Sequence, residues 1–149
     1  MEIRNILCPV DFSDPSREAM RFAADLCRLY GARLTLLHAY AVPGYVLPEG
    51  FVAAGPDVLE EIESRTRSTL KEWQTAAQEA GAQDIDLVTA MGNAAPEIVL
   101  YAREHKADLI VVGTHGRTGI VNFLLGSVAD KVVHTAHCPV LIVPAKTAK

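Results

Sequence analysis

Five short runs rich in Val, Ile and Leu, at residues 3–10, 34–39, 85–89, 109–112 and 140–143, constrain this chain more than any other feature. Most are continuously apolar rather than alternating. A strand with one wetted face alternates, whereas a strand covered on both faces does not, so these runs predict a sheet between two layers. The segments between them carry helical spacing. Ala19, Phe22, Ala23, Leu26 and Tyr30 recur at steps of three and four, as do Leu59, Ile62, Thr66, Leu70, Trp73, Ala77 and Ala80. The resulting order, βαβαβαβαβ, predicts an α/β fold with a doubly wound parallel sheet. A chain of 149 residues fits one domain spanning residues 1–149, able to bury roughly two-thirds of its unfolded surface.

Local punctuation agrees with this reading. Ser13 or Asp14 can cap the first helix, with Pro15 in its first turn and Gly31 just past its end. Asp57 with Glu60 reads as a capping box for the second helix, which Gly81 closes. Asn93 with Pro96 opens a third, carrying Ile98, Val99 and Ala102. Ser127 with Asp130 opens a fourth, carrying Val128, Val132, Val133 and Ala136. Residues 42–56 hold Pro43, Gly44, Pro48, Gly50, Gly55 and Pro56, which predicts a mobile surface loop, either a lid or partner contact or a plain connector. Residues 145–149 are expected to be a frayed tail.

Composition removes several classes of function. A net charge of −4 disfavours non-specific nucleic-acid binding, which depends on clustered Lys and Arg. Cys8, Cys27 and Cys138 are odd in number and lack a CxxC pair, so neither a disulfide framework nor a thiol redox motif is expected. Cys8 and Cys27 read as buried, inert thiols. No signal-peptide pattern opens the sequence, and no apolar stretch approaches the ~20 residues of a membrane span. The expectation is a soluble cytoplasmic protein with no nucleic-acid or membrane partner. His134-x2-His137 has helical ligand spacing, but Cys138 beside it begins a buried strand, so no metal held by protein side chains is expected. His38 reads as a packed, hydrogen-bonded residue and Trp73 as core.

Open α/β sheets bind ligands beyond the carboxyl ends of their strands, where the strand order reverses. That places Pro9, Val10 and Asp11 at the site, with Ala39 and Tyr40 and the residues from Gly113 onward. The last segment reads Val111-Val112-Gly113-Thr114-His115-Gly116-Arg117-Thr118-Gly119, and after six more residues Gly126-Ser127-Val128. Gly113 and Gly116 permit tight turns and close backbone approach. Gly126-Ser127 stands at a helix mouth, where free N–H groups and the positive dipole end favour an anion. The Ser127 hydroxyl can donate to a phosphate oxygen or cap the helix. His115 and Arg117 lie in the same loop, each either a phosphate contact or a solvated side chain. GxxxxGK[ST] and GxGxxG are both missing. A receiver domain would need an acidic pair after the first strand and an Asp ending the third; Asp11 stands alone, and the third run ends Val88-Thr89-Ala90.

The spacing Gly113-x2-Gly116-x9-Gly126-Ser127 matches the G-x2-G-x9-G-[ST] signature of nucleotide-binding universal stress proteins. The opening Ile6-Leu7-Cys8-Pro9-Val10-Asp11-Phe12-Ser13 and the closing Cys138-Pro139-Val140-Leu141-Ile142-Val143-Pro144 resemble the same family, so the likeness spans nearly the whole chain. It implies a five-stranded Rossmann-like sheet of the adenine nucleotide α-hydrolase type, in order 3-2-1-4-5, and a homodimer that binds ATP. By position, Asp11 would hold the ribose hydroxyls, Val10, Ala39 and Val112 would line the adenine pocket, and Gly113 would approach the ribose. Gly116, Gly126, Ser127 and Val128 would offer donors to the phosphates. Pro9 and Arg117 complete the expected ATP-binding set.

Two edges follow from that order. Asp84 and Asp86 guard the third strand, whereas Val140, Leu141, Ile142 and Val143 carry no charge, which makes the last strand the expected dimer contact. With no P-loop lysine, ATP should need Mg²⁺ or Mn²⁺ bridging its phosphates. The reading is an ATP-binding regulator or sensor of the stress response, with no catalytic residues assigned. The alternatives are a slow Mg-dependent ATPase and a dimeric interaction protein without nucleotide.

Overall fold

The protein is described by a computed structural model covering residues 1–114 and 125–146. Its elements run β1 (Asn5–Pro9), α1 (Asp14–Tyr30), β2 (Arg33–Tyr40), β3 (Gly44–Leu47), β4 (Gly50–Ala53), α2 (Pro56–Glu79), β5 (Ile85–Met91), α3 (Ala94–Glu104), β6 (Leu109–Gly113), α4 (Ser127–Thr135) and β7 (Val140–Val143). The five-stranded sheet has the order β5-β2-β1-β6-β7 and is parallel throughout. Setting aside the hairpin β3–β4, this is the order 3-2-1-4-5.

Continuous apolar runs are explained by two separate cores. Ile6, Cys8, Leu34, Leu36, Leu109 and Val111 face α1 and α2 and meet Met20, Leu70 and Trp73. The alternate residues Leu7, Leu37, Ile110 and Val112 face the other way, against Ala95, Ile98, Ala129 and Val132 of α3 and α4. Each fully buried aliphatic side chain contributes about 1.5–3 kcal/mol through burial, so both faces must be apolar.

The stripe expected on α1 is turned. Its buried face is Ser16, Ala19, Met20, Ala23, Ala24 and Cys27, whereas Phe22 is 45% and Tyr30 57% exposed. Small side chains let the helix lie close to β1 and β6, and the larger rings are left outside. The stripe of α2 holds, with Thr66, Leu70, Trp73 and Ala77 buried.

Caps differ in detail from the sequence reading. Ser13 caps α1, its hydroxyl accepting from the Ser16 N–H, and Gly31 adopts left-handed φ +65° after the last turn. Neither expected capping box forms: α2 starts at Pro56 after Gly55, and α4 starts at Ser127 after Gly126, each without a side-chain cap bond. Gly55 at the cap position of α2 has no side chain to accept from the first-turn N–H groups, and Ser127 sits one residue too far into its helix to cap it.

The 42–56 stretch is not irregular throughout. Tyr45 pairs with Val52 and Val46 with Phe51 in an antiparallel ribbon turned at Pro48-Glu49. The prolines and glycines fall at the ribbon's ends, and the β-prone residues lie between them. At the β5 edge, Arg33 binds Asp84 at 2.9 Å and Asp86 at 3.6 Å, and both carboxylates hold its guanidinium pKa up. His134 Nδ1 lies 2.7 Å from the Asp130 carbonyl of its own helix. Among the described residues, no helix is long and apolar enough to cross a membrane.

Cys8 and Cys27 are both buried. Burial pushes both thiols up, Cys27 from 9.0 to about 12, so the reactive thiolate is scarce in the folded state. The folded protein therefore holds the Cys27 proton more tightly than the unfolded chain does; this contribution is kept below pH 9 and lost as pH rises toward 12. In native protein at pH 8, both thiols should react with a soluble disulfide reagent on the order of a hundredfold more slowly than after denaturation. Rates near the denatured value would show that these sites open readily.

Candidate functional site

Strand order reverses between β1 and β6, and there the sheet opens a cleft of about 260 Å³. This lies just below the ~300–1,000 Å³ of common small-molecule pockets. Pro9, Val10 and Asp11 come from the end of β1, Leu37 and Ala39 from β2, and Val112, Gly113 and Thr114 from the end of β6. Ser16 of α1, Ala94 and Ile98 of α3, and Gly126, Ser127, Val128 and Ala129 at the start of α4 complete the lining.

Nine of the expected residues thus share one cleft: Pro9, Val10, Asp11, Ala39, Val112, Gly113, Gly126, Ser127 and Val128. Gly116 and Arg117, with His115, lie outside the described residues. Thr114 follows Gly113 as expected, Tyr40 is not among the lining residues, and Ser16, Leu37, Ala94, Ile98 and Ala129 were not foreseen. Leu37 and Ile98 carry only core-like signals, and the small pair Ala94-Ala95 at a helix start was the one hint of close approach.

The floor is apolar, since Val10, Leu37, Ile98 and Val112 are all buried. Among the described lining residues, Asp11 is the one ionisable side chain. Its Oδ1 accepts the Ser13 N–H at 3.0 Å and also the Ser13 hydroxyl, while its own N–H donates to Ser16 Oγ at 3.3 Å. Ser16 in turn donates to the Ser13 carbonyl at 3.2 Å. These bonds tie the carboxylate to the first turn of α1.

Directly beyond Asp11, Phe12 takes φ +65°. Its ring stacks on His38 with centroids 4.3 Å apart and meets Trp73 edge-on at 5.5 Å. His38 is buried, and its Nδ1 lies 2.7 Å from the Val10 carbonyl. A carbonyl can only accept, so Nδ1 carries the proton here. His38 is packed and hydrogen-bonded, as the sequence suggested.

On the opposite wall, the Gly126 N–H donates to the Thr114 carbonyl at 2.6 Å, closing the base of the glycine-rich segment. Gly126 has φ −59°, which any residue adopts, so glycine is not required there for its backbone angles. In α4 the first ladder bond runs from the Asp130 N–H to the Gly126 carbonyl, leaving the N–H groups of Ser127, Val128 and Ala129 outside the helical ladder. These donors and the positive helix end make a place for an anion.

Gly113 is constrained by packing rather than by φ. A Cβ there would stand 2.9 Å from the Pro15 carbonyl oxygen and 3.1 Å from its carbon. The first turn of α1 therefore rests on bare backbone at the end of β6. Gly113→Ala should force that turn outward and cost about 1–3 kcal/mol of stability, read from chemical denaturation midpoints. Unchanged stability would mean that the α1 start shifts freely.

Comparison with known proteins places this geometry. The model of the universal stress protein family matches residues 2–144. A universal stress protein of Methanocaldococcus jannaschii is 38% identical over 142 residues, covering 94% of this chain and 81% of the relative. A crystal structure of a universal stress protein in complex with cAMP aligns with a TM-score of 0.74 and 29% identity, over 98% of this chain and 100% of that one. One from Archaeoglobus fulgidus in complex with dAMP aligns with a TM-score of 0.65 and 26% identity, over 94% and 96% of the two chains.

Proposed function

The chain belongs to the universal stress protein family, and from that premise we propose that it is an ATP-binding regulator or sensor of the cytoplasmic stress response. The observation that carries the reading is the joining, in one cleft, of an apolar floor, a fixed carboxylate and an open helix N-terminus. Relatives of similar fold with cAMP and dAMP bound support an adenine nucleotide as the ligand class. The base packs among Val10, Ala39 and Val112, with Leu37 and Ile98 beneath. Asp11 accepts from the ribose hydroxyls. The triphosphate passes Gly113 and lies across Gly126, Ser127 and Val128; Gly116 and Arg117 are assigned to phosphate on sequence alone.

Charge decides what else the ligand needs. The described lining brings one negative group, Asp11, and no Lys or Arg, on a chain of net charge −4. Mg²⁺ or Mn²⁺ held by the phosphates supplies the missing positive charge. Phosphoryl transfer usually needs a Lys or Arg clamp and a side chain that orients the attacking water. The described lining has no Lys or Arg and its one ionisable group, Asp11, is assigned to the ribose, so the reading is binding, with slow Mg-dependent turnover the alternative. Calorimetric titration should show ATP binding with Mg²⁺ present and CTP binding about tenfold more weakly or worse. Chelating the metal should cost ATP about tenfold, or about 1.4 kcal/mol. No heat from millimolar ATP would reject the proposal, and unchanged affinity in EDTA would remove the metal from it.

The regulator is a homodimer in this reading. The outer edge of β7 is uncharged, with Val140, Leu141, Ile142 and Val143 all half-buried, whereas the β5 edge carries the Arg33–Asp84–Asp86 cluster. An unpaired apolar edge is either covered or aggregates. Pairing with a second β7 about a two-fold axis satisfies it in one isologous contact. Leu141→Lys with Ile142→Pro should give a monomer by light scattering. A wild-type protein that is already monomeric at micromolar concentration would reject this interface.

A further inference from the structure

Phe12 is one of two non-glycine residues with positive φ among the described residues, the other being Lys106, and it is the one that adjoins the cleft. A bulky side chain in the left-handed region is disfavoured by its own Cβ and persists only where its surroundings over-determine it. Here they do. The ring lies between His38, stacked at 4.3 Å and 25°, and Trp73, edge-on at 5.5 Å and 64°. The Arg17 guanidinium sits 4.4 Å over the Trp73 ring, so α1, α2 and β2 all contribute to the clamp.

The clamp brackets Asp11. On its amino side, the Val10 carbonyl accepts from His38 Nδ1 at 2.7 Å, and the Val10 N–H donates to the Leu37 carbonyl at 2.8 Å. On its carboxyl side, the left-handed turn at Phe12 sends the ring into the core and returns the chain so that the Ser13 N–H reaches Asp11 Oδ1 at 3.0 Å. The same His38 ring performs both tasks, stacking on Phe12 and holding Val10. An Asp between two anchored neighbours has little freedom to turn its carboxylate.

We propose that Phe12 and His38 are positioning residues that aim the Asp11 carboxylate into the cleft, and so set a preference for ligands bearing a vicinal diol, the ribose of a nucleotide. The inference rests on the nucleotide-binding reading and adds to it the source of sugar selectivity. A carboxylate accepting from two hydroxyls discriminates only if its oxygens are fixed before the ligand arrives; a wandering one forfeits the gain in ordering. Phe12 never touches the ligand in this account.

The test compares wild type with Phe12→Gly, which keeps the turn and removes the ring, and His38→Phe, which keeps a ring and removes the donor. Two measurements are made on each. Hydrogen exchange on the nucleotide-free protein reads the Ser13 amide, which should exchange about tenfold faster in Phe12→Gly while amides of β1 and β6 are unchanged. Calorimetry then reads ATP against 2′,3′-dideoxy-ATP, both with Mg²⁺. Wild type should favour ATP by about tenfold or more, and both variants should lose most of that ratio while dideoxy-ATP affinity holds. A ratio that survives in both variants, or equal losses for the two ligands, overturns the proposal, as does an unaltered Ser13 amide. If wild type binds neither ligand, the nucleotide reading fails and takes the sugar preference with it. The exchange result then still decides whether the clamp orders Asp11.

Discussion

Everything in this fold depends on covering both faces of a parallel sheet. Parallel strands need crossovers, and helices are the crossovers that bury apolar strand faces while satisfying their own backbone. Once β1, β2 and β6 feed one set of alternate residues to α1 and α2 and the other set to α3 and α4, the chain has no choice about where its helix N-termini gather. They stand at the carboxyl ends of the strands. The reversal between β1 and β6 then leaves a gap that no crossover fills. The cleft is a consequence of the covering, and its walls are the first turns of α1, α3 and α4.

The accuracy of that cleft comes from a few close contacts. Gly113 lets the α1 start touch the end of β6, where any side chain would meet the Pro15 carbonyl. The Gly126 N–H to Thr114 carbonyl bond sets the spacing between β6 and α4. Ser13 and Ser16 anchor Asp11 to α1 through bonds of 3.0 to 3.3 Å. Each contact ties together two segments that border the opening, so motion in one is resisted by the other.

How much of this was legible in the sequence varied with the physics. The strands were legible because double burial writes itself as uninterrupted apolar runs, and the cleft-facing ends were legible because glycine and Asp11 interrupt those runs. Strand order was not, since hydropathy says nothing about which strand neighbours which; it came from resemblance. The face of α1 was misjudged because Phe22 and Tyr30 weigh more in a hydropathy pattern than Ala19 and Ala23, yet a close helix–sheet contact selects for small size. The hairpin was hidden by its own prolines and glycines, which mark ribbon ends as readily as loops. Leu37 and Ile98 were missed in the site because a residue lining an apolar cleft is indistinguishable from core when read along the chain. Gly113 was legible as special, but for the ligand's sake rather than for the Pro15 contact.

Electrostatics gives the last constraint. A helix N-terminus is worth about half an elementary charge, falling off within the first turn, and α4 spends part of that on Asp130 in its own first turn. Asp11 opposes an anion from the facing wall. Half a charge does not offset the full charges of Asp11 and Asp130, so under the proposed reading the described wall is net negative before any phosphate arrives, and backbone donors alone cannot offset a triphosphate. The apolar floor and the clamped carboxylate are then the parts of the protein that recognise the nucleoside, while the phosphate end is held by charge that arrives with the ligand. A site divided in this way discriminates at the base and sugar and is forgiving at the phosphates. That suits a module that registers which nucleotide is present better than one that must align a phosphoryl group for transfer.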